Sequence, residues 1–193
     1  MTGITVGYAL CGSFCTFSKT IPQMKQLVES GVRVLPIMSQ TAYSTDTRFG
    51  KSEEFISEIE KICANKVIHT VFDAEPIGPQ KMCDLLVVAP CTGNTLAKLA
   101  NGITDTAVTM AVKSHLRIKR PVLLCVATND GLGASAQNIG KLINTKNIFF
   151  VPFGQDDPET KPNSLVADFS LIPDCVTHAL QNIQYQPVIM GNK

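Results

Sequence analysis

The feature that most constrains this chain is a change of character at residue 90. Asp84-Leu85-Leu86-Val87-Val88-Ala89 is an apolar run, and Pro90-Cys91-Thr92-Gly93-Asn94-Thr95 follows it at once with small and hydroxyl side chains. A strand with no polar face is buried on both faces, which happens mainly in parallel sheets covered by helices. A chain that leaves such a strand through a polar turn into a helix has the connection of a parallel sheet.

The rest of the chain repeats that plan. Ile4 to Leu10 predicts a strand, Phe17 to Glu29 a helix with Ile21, Met24, Leu27 and Val28 on one face, and Val32 to Met38 a second buried strand. Ser52 to Cys63 predicts a helix with Ser52 as its N-cap. Val67 to Phe72 reads as a short strand, and Asp73 to Pro79 as a loop by its Pro and Gly content. After the central strand come helices over Thr95 to Ala100 and about Thr104 to Ser114, and a strand over Val122 to Val126. A helix over Ala134 to Leu142, a strand over Ile148 to Val151 and a last helix over Leu171 to Ile183 complete the pattern. It predicts an α/β fold: a Rossmann-like or flavodoxin-like doubly wound parallel sheet in three layers. One domain over residues 1–193 is expected, with a mobile loop at 154–163 and an irregular tail at 184–193.

Composition narrows the function. A formal net charge of +1 with no run of Lys or Arg argues against a nucleic-acid surface. No apolar run approaches the roughly 18 residues of a membrane span, and the N-terminus has no signal-peptide pattern. The seven cysteines form no Cys-x-x-Cys pair and mostly sit in apolar runs, and the three histidines are scattered. No metal is therefore expected, and reduced thiols suit a cytoplasmic protein.

In a doubly wound sheet ligands bind beyond the carboxyl ends of the strands. Four turns there carry small or hydroxyl residues. Gly12-Ser13-Phe14 offers close backbone approach and a hydroxyl, or is an ordinary turn. Ser39 and Thr41 either cap a helix or meet a phosphate. Thr92, Gly93, Asn94 and Thr95 offer two hydroxyls, an amide side chain and helix-start amides, more than a capped turn requires. Asn129, in Asn129-Asp130-Gly131, is turn chemistry first and a ligand contact second. Cys91 has no base placed beside it and reads as a buried residue; His69 and His115 read as surface or packing residues.

At the third turn a resemblance becomes specific. Ala89 to Asp105 resembles the signature of the flavoprotein family that contains the cysteine decarboxylases, Pro-Ala-Ser-Ala-Asn-Thr followed by Ala-Asn-Gly-x-x-Asp. It is also similar to the flavin prenyltransferases, whose turn reads Pro-Cys-Ser-x-x-Thr. The resemblance spans roughly the first 150 residues. It implies FMN across the strand ends, with Gly12, Ser13, Phe14, Ser39, Thr92, Gly93, Asn94 and Thr95 as contacts, and a homo-oligomer, trimeric or dodecameric. The family's catalytic His is absent from Glu75-Pro76-Ile77-Gly78-Pro79, and of its Pro-x-Met-Asn substrate motif only Asn129 remains. No Arg is evident where the prenyltransferases bind prenyl phosphate, and no catalytic residue is assigned.

The whole chain, particularly Asp73 to Pro79 and Ala89 to Met110, closely resembles one branch of that family, the dipicolinate synthase B subunits. That resemblance implies an oxidoreductase subunit in the mother cell of a sporulating bacterium. It would work with the A subunit of dipicolinate synthase, which carries NAD(P), to oxidise dihydrodipicolinate. The small dicarboxylate substrate would be met by Asn129, with Lys98 and Lys113 as weaker candidates. Two alternatives stand beside it: a scaffold subunit with a relic flavin site, and a flavin-dependent decarboxylase.

Overall fold

The computed structural model describes residues 3–191; the ends of the expected domain and tail, residues 1–2 and 192–193, lie outside them. Seven strands form one sheet: β1 (Thr5–Leu10), β2 (Arg33–Met38), β3 (Leu85–Cys91), β4 (Val122–Thr128), β5 (Ile148–Phe150), β6 (Phe153–Gly154) and β7 (Leu165–Ala167). The order is β2-β1-β3-β4-β7-β6, with β5 also paired to β4. From β2 to β5 the strands are parallel, the flavodoxin-like order, whose switch point falls between β1 and β3.

Helices cover both faces, making three layers. On one side α1 (Phe17–Glu29) packs with α3 (Ser52–Cys63) and α8 (Ile172–Leu180). On the other, α5 (Gly93–Ala100) packs with α6 (Ala107–Arg117) and α7 (Ala136–Ile143). Every residue of β3 is buried, as its apolar run demands. Tyr8 in β1 is also fully buried, and its hydroxyl is satisfied: it lies 3.0 Å from the Thr20 carbonyl and 2.6 Å from the Thr20 hydroxyl. Thr20 Oγ1 in turn donates to the Ala89 carbonyl (3.1 Å), tying β1, α1 and β3 together. Among the described residues no helix is long and apolar enough to cross a membrane.

Several elements depart from the expected bounds, each for a local reason. β3 runs on through Pro90 and Cys91, with a register shift against β4 between Val88 and Cys91, so the turn begins only at Thr92. α5 starts at Gly93 because Thr92 caps it, and α6 starts at Ala107 because Thr106 Oγ1 accepts the Thr109 amide (3.1 Å). The strand expected over Val67 to Phe72 is only a single bridge, Ile37 to Ile68. Thr70 then caps the short helix α4 (Val71–Ala74) by accepting the Asp73 amide at 3.0 Å, and a 3-10 turn, Glu75–Ile77, follows. Ser52 is not the cap of α3: its amide and hydroxyl both donate to Asp46 Oδ1 (2.9 and 3.0 Å), and Lys51 holds the cap position. A short helix α2 (Gln40–Ser44) follows β2.

The antiparallel pair β6 and β7, which no sequence pattern marks, flanks the loop expected over 154–163. It matters for the site, because β4 divides its free edge. Its first half, Val122 to Leu124, pairs with β5, and its last residues, Ala127 and Thr128, pair with β7. The connection between β6 and β7 is thereby carried to the carboxyl end of the sheet. The described part of the tail, 184–191, is held down: Gln184 bonds the backbone of Phe150 in both directions (2.8 and 2.7 Å), and Ile189 bridges to Phe153.

At the opposite end of the sheet His115 is fully buried, its Nδ1 3.7 Å from Cys83 Sγ and its Nε2 without a hydrogen-bond partner among the described residues. Burial, helped by the Arg120 charge, pushes its pKa down from 6.5 to about 4. The unfolded chain therefore binds a proton that the folded chain refuses between those values, and stability falls as pH drops through that window. The expected loss is about 3 kcal/mol. Denaturant melts at pH 7.5 and 4.5 should show His115→Gln losing less stability than wild type over that interval; an equal loss would refute the assignment.

Candidate functional site

The turns after β1, β3 and β4 surround a cleft of about 540 Å³, within the size range of small-molecule and cofactor sites. The first turn supplies one wall. Ser13 donates its amide to the Cys11 carbonyl (2.8 Å), and its own carbonyl accepts the amide and hydroxyl of Thr16 (3.0 and 2.7 Å). Its hydroxyl has only a long contact with Cys15 Sγ at 3.8 Å, so it stays available to the cleft. The helical turn Phe14–Thr16 begins here, and no intrahelical carbonyl can serve its first amides. Lys19, in the first turn of α1, lines the same wall and forms no ion pair among the described residues. Phe14 anchors the turn: its ring lies 5.3 Å from Phe17, which meets Phe55 of α3 edge-on at 5.0 Å.

The third turn is built differently from its neighbour. Thr92 Oγ1 accepts the Thr95 amide at 3.4 Å and lies 3.1 Å from the Thr95 hydroxyl. That hydroxyl is buried and donates to Cys11 Sγ at 3.2 Å. Thr92 reaches the cleft; Thr95 is spent on the junction with β1. Gly93 faces the turn after β4. A Cβ there would lie 2.6 Å from Thr128 Oγ1, 2.8 Å from Ser135 Oγ and 2.9 Å from Asp130 Oδ1. No side chain fits in that approach.

Those three groups form a compact network. Asp130 Oδ1 accepts the hydroxyls of Thr128 (2.5 Å) and Ser135 (2.8 Å). These two bonds hold the Asp130 carboxyl below the usual range. The carboxylate thus stands beside the N-terminus of α5, the place where the helix dipole and its unpaired amides favour an anion. A second anion at the same helix end would meet like charge. The network also fixes Thr128 and Asn129, which form the β4 side of the cleft.

Of the residues singled out from sequence, Gly12, Ser13, Phe14, Thr92 and Asn129 line one cleft. Ser39, Gly93, Asn94 and Thr95 stand outside its lining. Ser39 caps α2 through the Ala42 amide (3.3 Å), and Asn94 is exposed on α5. Lys98 pairs with Asp105 at 2.8 Å, and Lys113 lines a separate apolar hollow beside α6, so neither weaker substrate candidate reaches the cleft. Cys91 and Cys11 are buried, with their thiols pushed up, Cys11 to about 11; Cys15 is the exposed one. His69 stacks on Tyr43 with ring centroids 3.7 Å apart. No group of three or more His, Cys, Asp or Glu among the described residues could hold a metal.

The cleft also contains residues that sequence reasoning missed: Lys19, Thr47, Phe49, Thr128, Asp156 and Lys161. Lys19 lies one turn beyond Thr16 and was findable from helical spacing. Asp156 and Lys161 arrive only through the pairing of β7 with β4. A larger hollow of about 870 Å³ adjoins the cleft and shares Lys19, Asp156 and Val166 with it.

Comparison with known proteins identifies the family and the fold. A family model described as Flavoprotein matches residues 1–181. The B subunit of dipicolinate synthase from Bacillus subtilis is 44% identical over 192 residues, covering 100% of this chain and 96% of that protein. The crystal structure of the dipicolinate synthase B subunit from Bacillus halodurans has a TM-score of 0.91 at 45% identity, covering 100% of this chain and 98% of that one. Burkholderia xenovorans DmrB in complex with FMN has a TM-score of 0.69 at 17% identity, covering 93% and 96%, a likeness of fold alone.

Gly93→Ala should force the Thr128–Asp130–Ser135 network apart and cost about 1–3 kcal/mol. Thermal melts should show the loss, and amide exchange should rise in residues 128–135. A melt equal to wild type would mean that the two turns do not depend on this approach.

Proposed function

The chain belongs to the Flavoprotein family, and on that premise we propose that it is a flavin-binding subunit of the dipicolinate synthase B kind. The observation that carries the flavin reading is the convergence, at the β1/β3 switch point, of the Ser13 hydroxyl, the first amides of the turn Phe14–Thr16 and Lys19. Together these are an anion-binding wall. Thr92 and Asn129 face it across a cleft of about 540 Å³ and supply polar contacts for a ring system. These residues fit FMN: the donors suit a phosphate, and the hollow has the size of a cofactor site. The N-terminus of α5 is the poorer phosphate site, because Asp130 already stands there.

When bound, FMN supplies a hydride acceptor for a dihydropyridine ring. The chain's own part is positioning. Ser13 and Lys19 hold the phosphate, Thr92 and Asn129 orient the ring, and the β6–β7 connection limits solvent on the far side. The substrate in this reading is a small dicarboxylate, oxidised to an aromatic ring together with the A subunit, which carries NAD(P). The chain acts as a homo-oligomer, trimeric or dodecameric, in the mother-cell cytoplasm. A non-catalytic scaffold is the second reading. It is favoured by the cleft lining, which among the described residues contains no His and a single carboxylate, Asp156, lying 3.9 Å from Lys161.

Titration with FMN and with riboflavin, followed by the flavin absorption band, separates these readings. Wild type should bind FMN, and Lys19→Gln should weaken it about 10-fold while leaving riboflavin unchanged. No flavin binding at all would leave the scaffold reading standing. An equal loss for both flavins would move the phosphate away from Lys19.

A further inference from the structure

The segment between α2 and α3 places an aromatic ring in the cleft lining and a cation over that ring, and neither is used by the flavin reading. Residues 47–50 close a tight reverse turn: the Thr47 amide donates to the Gly50 carbonyl (3.1 Å) and the Gly50 amide to the Thr47 carbonyl (3.2 Å). The Phe49 amide donates to Thr47 Oγ1 at 3.2 Å. The base of the turn is fixed by the two bonds from Ser52 to Asp46 Oδ1. Gly50, at φ +147°, rests on Phe55, where a Cβ would lie 2.8 Å from the ring. Phe55 contacts Phe17, and Phe17 contacts Phe14 in the cleft wall, so the turn is stacked on the site by a ladder of rings.

At the tip, Phe49 lines the cleft and leaves 47% of its surface exposed. The Arg48 guanidinium lies 4.9 Å from the centroid of that ring, a cation–π contact that holds the two together. Arg48 has no carboxylate partner among the described residues. The other cations at the cleft have neighbours or duties: Lys161 lies 3.9 Å from Asp156, and Lys19 stands at the first turn with Ser13. On the β4 side the Asp130 carboxylate, outside the lining, is engaged by the Thr128 and Ser135 hydroxyls.

We propose that Arg48 and Phe49 are the specificity-determining pair for a planar ring dicarboxylate, Phe49 stacking on the ring and Arg48 taking a carboxylate. A planar guanidinium fork matches a carboxylate in two parallel hydrogen bonds, and an exposed phenyl face takes a flat ring by offset stacking. This assignment rests on the dicarboxylate reading above and adds the residues that would select the substrate.

The test is calorimetric binding of pyridine-2,6-dicarboxylate and pyridine-2-carboxylate to the full chain, with and without FMN. Arg48→Gln should weaken the dicarboxylate about 10- to 100-fold and the monocarboxylate less, with FMN affinity unchanged. Arg48→Lys should recover only part of the loss, because an ammonium lacks the fork. Phe49→Leu should weaken both acids by a similar factor. Wild-type binding of the dicarboxylate that Arg48→Gln leaves intact would overturn the proposal alone. Failure of the FMN-loaded wild type to bind either acid would overturn it together with the dicarboxylate reading.

Discussion

The junction between β1 and β3 is the constraint on which the rest of the structure depends. The strand order reverses there, so α1 leaves to one face of the sheet and α5 to the other, and a crevice opens between them. The crevice has a sealed floor. Cys11 donates its amide to the Pro90 carbonyl, Thr95 donates its hydroxyl to Cys11 Sγ, and the Tyr8–Thr20–Ala89 chain fills the layer below. A donor left unpaired in such a buried layer costs about 1–3 kcal/mol. The hydroxyls at these positions therefore hold the two turns in register.

That junction also separates the charges around the cleft. Asp130 serves the helix end at α5, held there by Thr128 and Ser135 and admitted by the missing side chain of Gly93. Like charges repel, so the wall left for an anionic ligand is the one beyond β1, where Ser13, the amides of Phe14 and Cys15, and Lys19 gather. The proposed orientation of a flavin follows from this division. Residues whose chemistry looks alike in the sequence thus serve opposite purposes. Thr92 faces the ligand space, while Thr95, three residues on, is consumed in the floor.

Much of the fold was readable from sequence because its signals are local. The apolar run of β3, the helical stripe of α1 and the buried strand β2 lie close to their expected places. The elements that differ are those where a neighbour distant in sequence, or a single hydrogen bond, overrode the pattern. Ser52 has the chemistry of a cap but bonds to Asp46. Val67 to Phe72 is apolar enough for a strand, yet Thr70 turns it into a helix. Lys98 and Lys113 have the right charge for a carboxylate, but they lie on helical faces turned away from the strand ends.

The sequence by itself determined the layered α/β plan, the switch-point turns at Gly12 and Thr92, and the family to which they belong. These depend on periods of two and 3.6 residues and on short motifs, which any stretch of chain carries within itself. Only the tertiary structure decided which of the turn residues share a cleft. It brought Asp156 and Lys161 to the site through β7, put Asp130 at the end of α5, and set Phe49 in the cleft lining with Arg48 over its ring. Those placements follow from strand pairing and ring packing between segments distant in the chain, and such contacts leave no periodic trace in the residues that make them. The polar turn after residue 90 announced a ligand site; the fold assigned most of its charge to neighbouring turns.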